Sequence, residues 1–186
     1  NGTFSEIGQI AGIEATEWSW SALFADYDND GWKDLFISNG YRQDIINLDF
    51  IVYGDKEQSM GLDPADDKQR QALLNELPGI KVHNYMYRNK GDLTFTDESE
   101  AWGMSTPTFS NGAAYTDLDN DGDLDLVFNN IDEVATVMES HANGNKEASK
   151  SNYLRISFAG PPSNREGLGA KVYVRNKGSL QYHYFS

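Results

Sequence analysis

DLDNDGDLD, residues 117–125, and DYDNDGWKD, residues 26–34, each set aspartates at alternate positions, a glycine sixth and an aspartate ninth. Crowding like charges in this way is costly. Two carboxylates about 5 Å apart repel by roughly 1 kcal/mol in water and about 3 kcal/mol at the effective dielectric of a protein surface. A compact loop of four needs a positive charge among them, and a hard divalent cation that prefers oxygen ligands supplies it. Calcium suits such a loop better than magnesium because it tolerates irregular geometry. The stretch therefore reads as a metal cage, present twice.

In D-x-D-x-D-G-x-x-D, positions 1, 3 and 5 turn carboxylates inward, glycine permits the sharp bend, position 7 offers its carbonyl and position 9 closes the cage. The expected ligands of the first loop are Asp26, Asp28, Asp30, Trp32 through its carbonyl, and Asp34, with Gly31 at the bend. Those of the second are Asp117, Asp119, Asp121, Asp123 through its carbonyl, and Asp125, with Gly122 at the bend. An EF-hand would need a bidentate glutamate at position 12 and flanking helices. Position 12 is Ile37 or Phe128, inside an apolar run, so the expectation is a strand-loop-strand calcium site. The plainer alternative is a solvated acidic turn, since Asp and Gly both favour turns. Two full matches at equivalent places weigh against it.

Those places are equivalent because the sequence repeats. A shift of 91 positions lays TFSEIGQIAGIEATEWSWSALFADYDNDGWKDLFISNG over TFTDESEAWGMSTPTFSNGAAYTDLDNDGDLDLVFNN without a gap, with Trp18 on Phe109 and Asp26 on Asp117. A self-match this long marks a duplicated structural unit. Each unit carries short strand-like runs: SALFAD and GAAYTD before the loops, KDLFISN and LDLVFNN after them. HNYMYRN, a KGD turn and LTFTDE add a hairpin to the first unit, and ATVMESHAN and NYLRISFAG take the matching places in the second. About four strands per unit is the content of one propeller blade.

Between Gly40 and His83 the first unit carries an insertion, about residues 41–82. Within it DPADDKQRQALLNELPG predicts a short amphipathic helix, with Asp63 as N-cap, Pro64 in the first turn, and Leu73, Leu74 and Leu77 on one side. It is expected to pack on the sheet; the alternative is a partner-binding arm.

Composition narrows the function. The 186 residues suffice for one ordinary domain or part of a larger one, and the net charge of -14 argues against nucleic-acid or anionic-membrane partners. With no cysteine there is neither a disulfide framework nor a thiolate metal site. No apolar run reaches the length of a membrane helix and no signal peptide is visible. The chain opens on Asn1 and is read as an internal or processed piece, with any export signal or lipid anchor outside it. His83, His141 and His183 are scattered without ligand spacing, and there is no G-x-S-x-G elbow or P-loop. No catalytic or cofactor-binding residue is assigned. Trp18, Trp20, Trp32 and Trp102 could stack on sugars, but the alignment of Trp18 with Phe109 favours packing inside the blade.

The units resemble FG-GAP repeats, also called VCBS repeats, the calcium-binding blades of integrin-alpha-type β-propellers. The resemblance runs from GTFSEIGQIAGI through DYDNDGWKDLFISNG, and from LTFTDESEAWGM through FSNGAAYTDLDNDGDLDLVFNN. NREGLGAKVYVRNKGSLQ, residues 164–181, resembles the opening of the ASPIC/UnbV module that follows such propellers in bacterial surface proteins and cartilage acidic protein. The resemblance implies an all-β chain: propeller blades over 1–158 and the start of a β-rich C-terminal module over 159–186. Two units cannot close a propeller, so further blades are expected beyond this stretch. It implies two structural calcium ions, an extracellular or cell-surface setting, most plausibly the bacterial outer membrane, and a binding or scaffold role toward a protein or glycan partner. The alternative is a non-catalytic part of a glycan-active enzyme or polysaccharide-uptake system.

Overall fold

The computed structural model describes residues 2–42, 79–142, 154–176 and 178–185. The described residues are nearly all β, with one helical turn, α1 (Gly8–Ala11). The first unit forms a four-stranded antiparallel meander of β1 (Ser19–Ala25), β2 (Asp34–Asn39), β3 (Tyr85–Asn89) and β4 (Phe95–Asp97), in that order. The second forms β5 (Ser110–Thr116), β6 (Asp125–Asn130) and β7 (Thr136–Met138). A separate hairpin follows, β8 (Lys171–Asn176) with β9 (Ser179–Tyr184).

The duplication read from the sequence extends to hydrogen-bond register. Ser19 faces Asn39 and Ser110 faces Asn130, and each first strand shifts register once, between Ser19 and Ala22 and between Ser110 and Ala113. A bulge at the same place bends each opening strand alike. β2 is buried along its whole length because sheet neighbours and both sheet faces cover it. On one face Leu35, Ile37 and Tyr87 pack with Ile13, Tyr85 and Phe95. On the other, Phe36 joins Ala25, Tyr27, Met86, Met104, Leu126 and Phe128 in a core shared by both units, with the Phe36 and Phe128 rings stacked at 5.7 Å.

A buried polar seam runs beside that core. Asn84 Oδ1 accepts the Asn39 N–H at 2.8 Å, Asn84 Nδ2 donates to Ser110 Oγ at 3.0 Å, and Ser110 Oγ donates to Asn130 Oδ1 at 2.7 Å. Of these bonds, Asn84 to Ser110 crosses between the units and helps fix how one sheet sits on the next. Gly40 is needed at this seam. Its φ is 113°, and a Cβ there would lie 2.4 Å from the Thr108 carbonyl oxygen.

One expectation changes. The second unit has three strands among the described residues, not four, and residues 154–160 of the stretch expected to supply the fourth form no strand. Their alternation finds no face to bury: Leu154 and Ile156 stay 68% and 44% exposed, and Arg155 between them reaches an acidic loop instead. The expected helix over 63–78 lies outside the described residues. The sheets do not close into a ring among the described residues.

Candidate metal centre

Each acidic loop bridges the first two strands of its sheet, β1 to β2 and β5 to β6. Its backbone follows the sequence pattern. Asn29 and Asn120 take φ of 57° and 67°, in the left-handed region where Asn is the best tolerated non-glycine residue, and Gly31 and Gly122 take 96° and 97°. These bends turn the chain back over its own side chains.

The ninth position anchors each cage. Asp34 is fully buried; its Oδ2 accepts the Tyr27 N–H at 3.0 Å and its Oδ1 the Asn89 N–H at 2.9 Å, tying the loop to β3. Asp125 does the same in the second unit, accepting the Leu118 N–H at 2.7 Å and the Ser140 N–H at 2.9 Å. Asp26 accepts the Asp30 N–H at 3.0 Å and the Gly31 N–H at 2.9 Å, which aims position 1 across the turn.

The structure brings positions 1, 3 and 9 together in both loops. Carboxylate oxygens of Asp26, Asp28 and Asp34, and likewise of Asp117, Asp119 and Asp125, lie within 4.8 Å of one another. Oxygens bound to one calcium at about 2.4 Å can be up to about 4.8 Å apart, so each trio fits around a single ion. Position 5 is outside both trios: Asp30 Oδ1 accepts the Trp32 N–H at 2.8 Å, and Asp121 Oδ1 accepts the Asp123 N–H at 3.1 Å. At position 7, Trp32 is 53% exposed with its ring over Gly91, whereas Asp123 is buried.

The electrostatics favour a cation. Burial, with repulsion from the other loop aspartates, pushes the Asp34 carboxyl up to about 7 and Asp26 up to about 6, from 3.8. A side-chain hydrogen bond with Asp123 raises Asp121 as well. Asp117 Oδ1 is buried and accepts no hydrogen bond, an arrangement that wants a ligand. The donor set is all oxygen, the set preferred by calcium. The residues present fit the ion in both loops.

Two arginines escaped the sequence reading. Arg88 on β3 donates from Nε to Asp28 Oδ2 at 2.6 Å and from Nη2 to Asp30 Oδ2 at 3.2 Å. Arg155 donates to Asp117 and, at 3.2 Å, to the Asn120 side chain. Both lie far from their loops in sequence, so no local pattern announces them. Of the tryptophans, Trp102 packs against the shared core and Trp18 stacks on Tyr41 at 4.6 Å, as expected for blade packing. Trp20 is half-exposed and donates its indole N–H to the Gly40 carbonyl at 2.8 Å.

The family model described as FG-GAP-like repeat matches residues 1–37 and 74–128, taking in both acidic loops. Over these 92 of its 186 residues the chain is similar to FG-GAP-like repeats. The matched segments end at Phe128, so they leave out β7 and the β8–β9 hairpin. No curated protein matches the chain. Among the described residues no helix is long and apolar enough to cross a membrane.

Proposed function

We propose that this chain is part of a calcium-stabilised β-propeller that acts as a binding or scaffold module for a protein or glycan partner at an extracellular or cell surface. The observation that carries the reading is the pair of aspartate trios, identically placed between the first two strands of two repeated sheets. The FG-GAP-like match over both acidic loops supports the propeller architecture. Bound calcium would supply the positive charge that lets the loop carboxylates stay ionised at close quarters.

The chain's own residues do the rest. Asp34 holds its loop to the third strand of the sheet through the Asn89 N–H, and Asp125 holds its loop to Ser140 just past β7, so the loop conformation and the strand register are set together. Asp26, Asp28, Asp117 and Asp119 close over the turn from the other side. Loops braced in this way present a rigid rim, which lowers the ordering cost of binding a partner. The site is read as structural and non-catalytic.

A panel of neutral and acidic polysaccharides, incubated with the calcium-loaded protein, tests the reading. Binding without turnover, weakened by chelation, is the expected result. Hydrolysis or elimination abolished by a substitution outside the acidic loops would overturn it in favour of an enzyme.

A further inference from the structure

The two acidic loops are not electrostatically equal, although their nine-residue patterns match. In the first, all four oxygens of Asp28 and Asp30 are already engaged. Asp28 Oδ1 accepts the Asp30 N–H at 3.1 Å and Asp30 Oδ1 accepts the Trp32 N–H at 2.8 Å. The two remaining oxygens, one on each residue, both go to Arg88. One guanidinium thus spans positions 3 and 5, and Asp30 joins a cage only by surrendering the Arg88 contact or that of Trp32.

Arg88 is held in place by its strand. It sits on β3 opposite Thr96 and next to Asn89, whose N–H binds Asp34, the closing residue of the same loop. The second unit differs at this point. Leu35 pairs with Tyr87 and Leu126 with Met138, so the residue in the place of Arg88 is Glu139, which puts a negative charge where the first unit has a positive one. The second loop's arginine, Arg155, comes from residues outside any strand and reaches Asp117 and Asn120.

The geometry points to Arg88 as a built-in counter-ion of the first loop, one that competes with calcium for Asp28 and Asp30 and lowers that loop's affinity. The inference rests on the calcium reading of the loops. A cation tethered on a rigid strand is present at high local concentration, and it must be displaced, or tolerated beside a divalent ion, whenever the loop fills. Arg88 is therefore an affinity-setting residue rather than a ligand. Its consequence is a first loop that fills at higher calcium than it would without the guanidinium.

Calorimetric calcium titration of the full chain separates the loops when one is disabled. In an Asp119→Ala background only the first loop binds; in an Asp28→Ala background only the second. Arg88→Gln is expected to tighten the first loop by about tenfold, the size that removal of one nearby, partly screened charge supports. It should leave the second loop's affinity unchanged, while Arg88→Lys, which keeps the charge, stays close to the parent. Unchanged or weaker binding at the first loop in Arg88→Gln, or equal tightening of both loops, would overturn the inference while leaving the calcium reading intact. Absence of binding in the parent chain and in both backgrounds would overturn the calcium reading itself, and the role of Arg88 with it.

Discussion

Asp34 shows at the scale of one residue why the loops suit a cation. Its carboxyl is fully buried, takes two backbone N–H groups, and still stands near 7 because burial and the neighbouring aspartates outweigh those hydrogen bonds. Asp26 stands near 6 for the same first reason, desolvation. The folded chain without metal therefore holds these protons more tightly than the unfolded chain, whose carboxyls titrate near 3.8. The stabilisation from both groups is complete below the unfolded value and is lost as pH climbs through about 6 and then 7. Metal-free protein is expected to melt at a lower temperature at about pH 8 than at about pH 5, and Asp34→Asn should flatten much of that slope. With saturating calcium the order should reverse, because the ion binds the deprotonated carboxylates. Melting curves at several pH values, with and without chelator, check both halves.

At the scale of the element, the strand-loop-strand unit was legible because every part of it is local. Alternate aspartates, a glycine at the bend and apolar runs on either side lie within about twenty residues, and the 91-position repeat displays them twice. Local pattern does not report what crosses the sheet. Arg88 meets Asp28 from 60 positions away, and Asn84 meets Ser110 across the seam between units. Nor does it report whether an alternating stretch will find a partner: NYLRISFAG reads as a strand, yet residues 154–160 join no sheet. The shared core depends most on β2, where Phe36 is fully buried and stacked on Phe128 of the other unit. Phe36→Ala should cost about 3–5 kcal/mol, read from chemical denaturation, and because the lost contacts span both sheets the two units should still unfold together.

At the scale of the whole molecule, two repeated sheets share one core and one polar seam, and each carries an acidic loop at the same turn. Their packing is legible only in the structure, since the seam residues Asn39, Asn84, Ser110 and Asn130 come from four separate strands or loops. The FG-GAP-like match and the duplicated register describe the same repeat from independent directions. The net charge of -14 fits a chain whose most crowded anions are kept for a cation. Ions that bind only the folded state stabilise it by mass action, by roughly 2.7 kcal/mol for one site at a hundredfold excess over Kd. Isothermal calorimetry of the chelator-stripped chain titrated with calcium, paired with melting curves at each end point, is the most direct test. Two calcium ions per chain and a melting temperature raised by many degrees are expected; absence of binding heat together with an unchanged melting temperature would contradict the metal-braced reading of both loops.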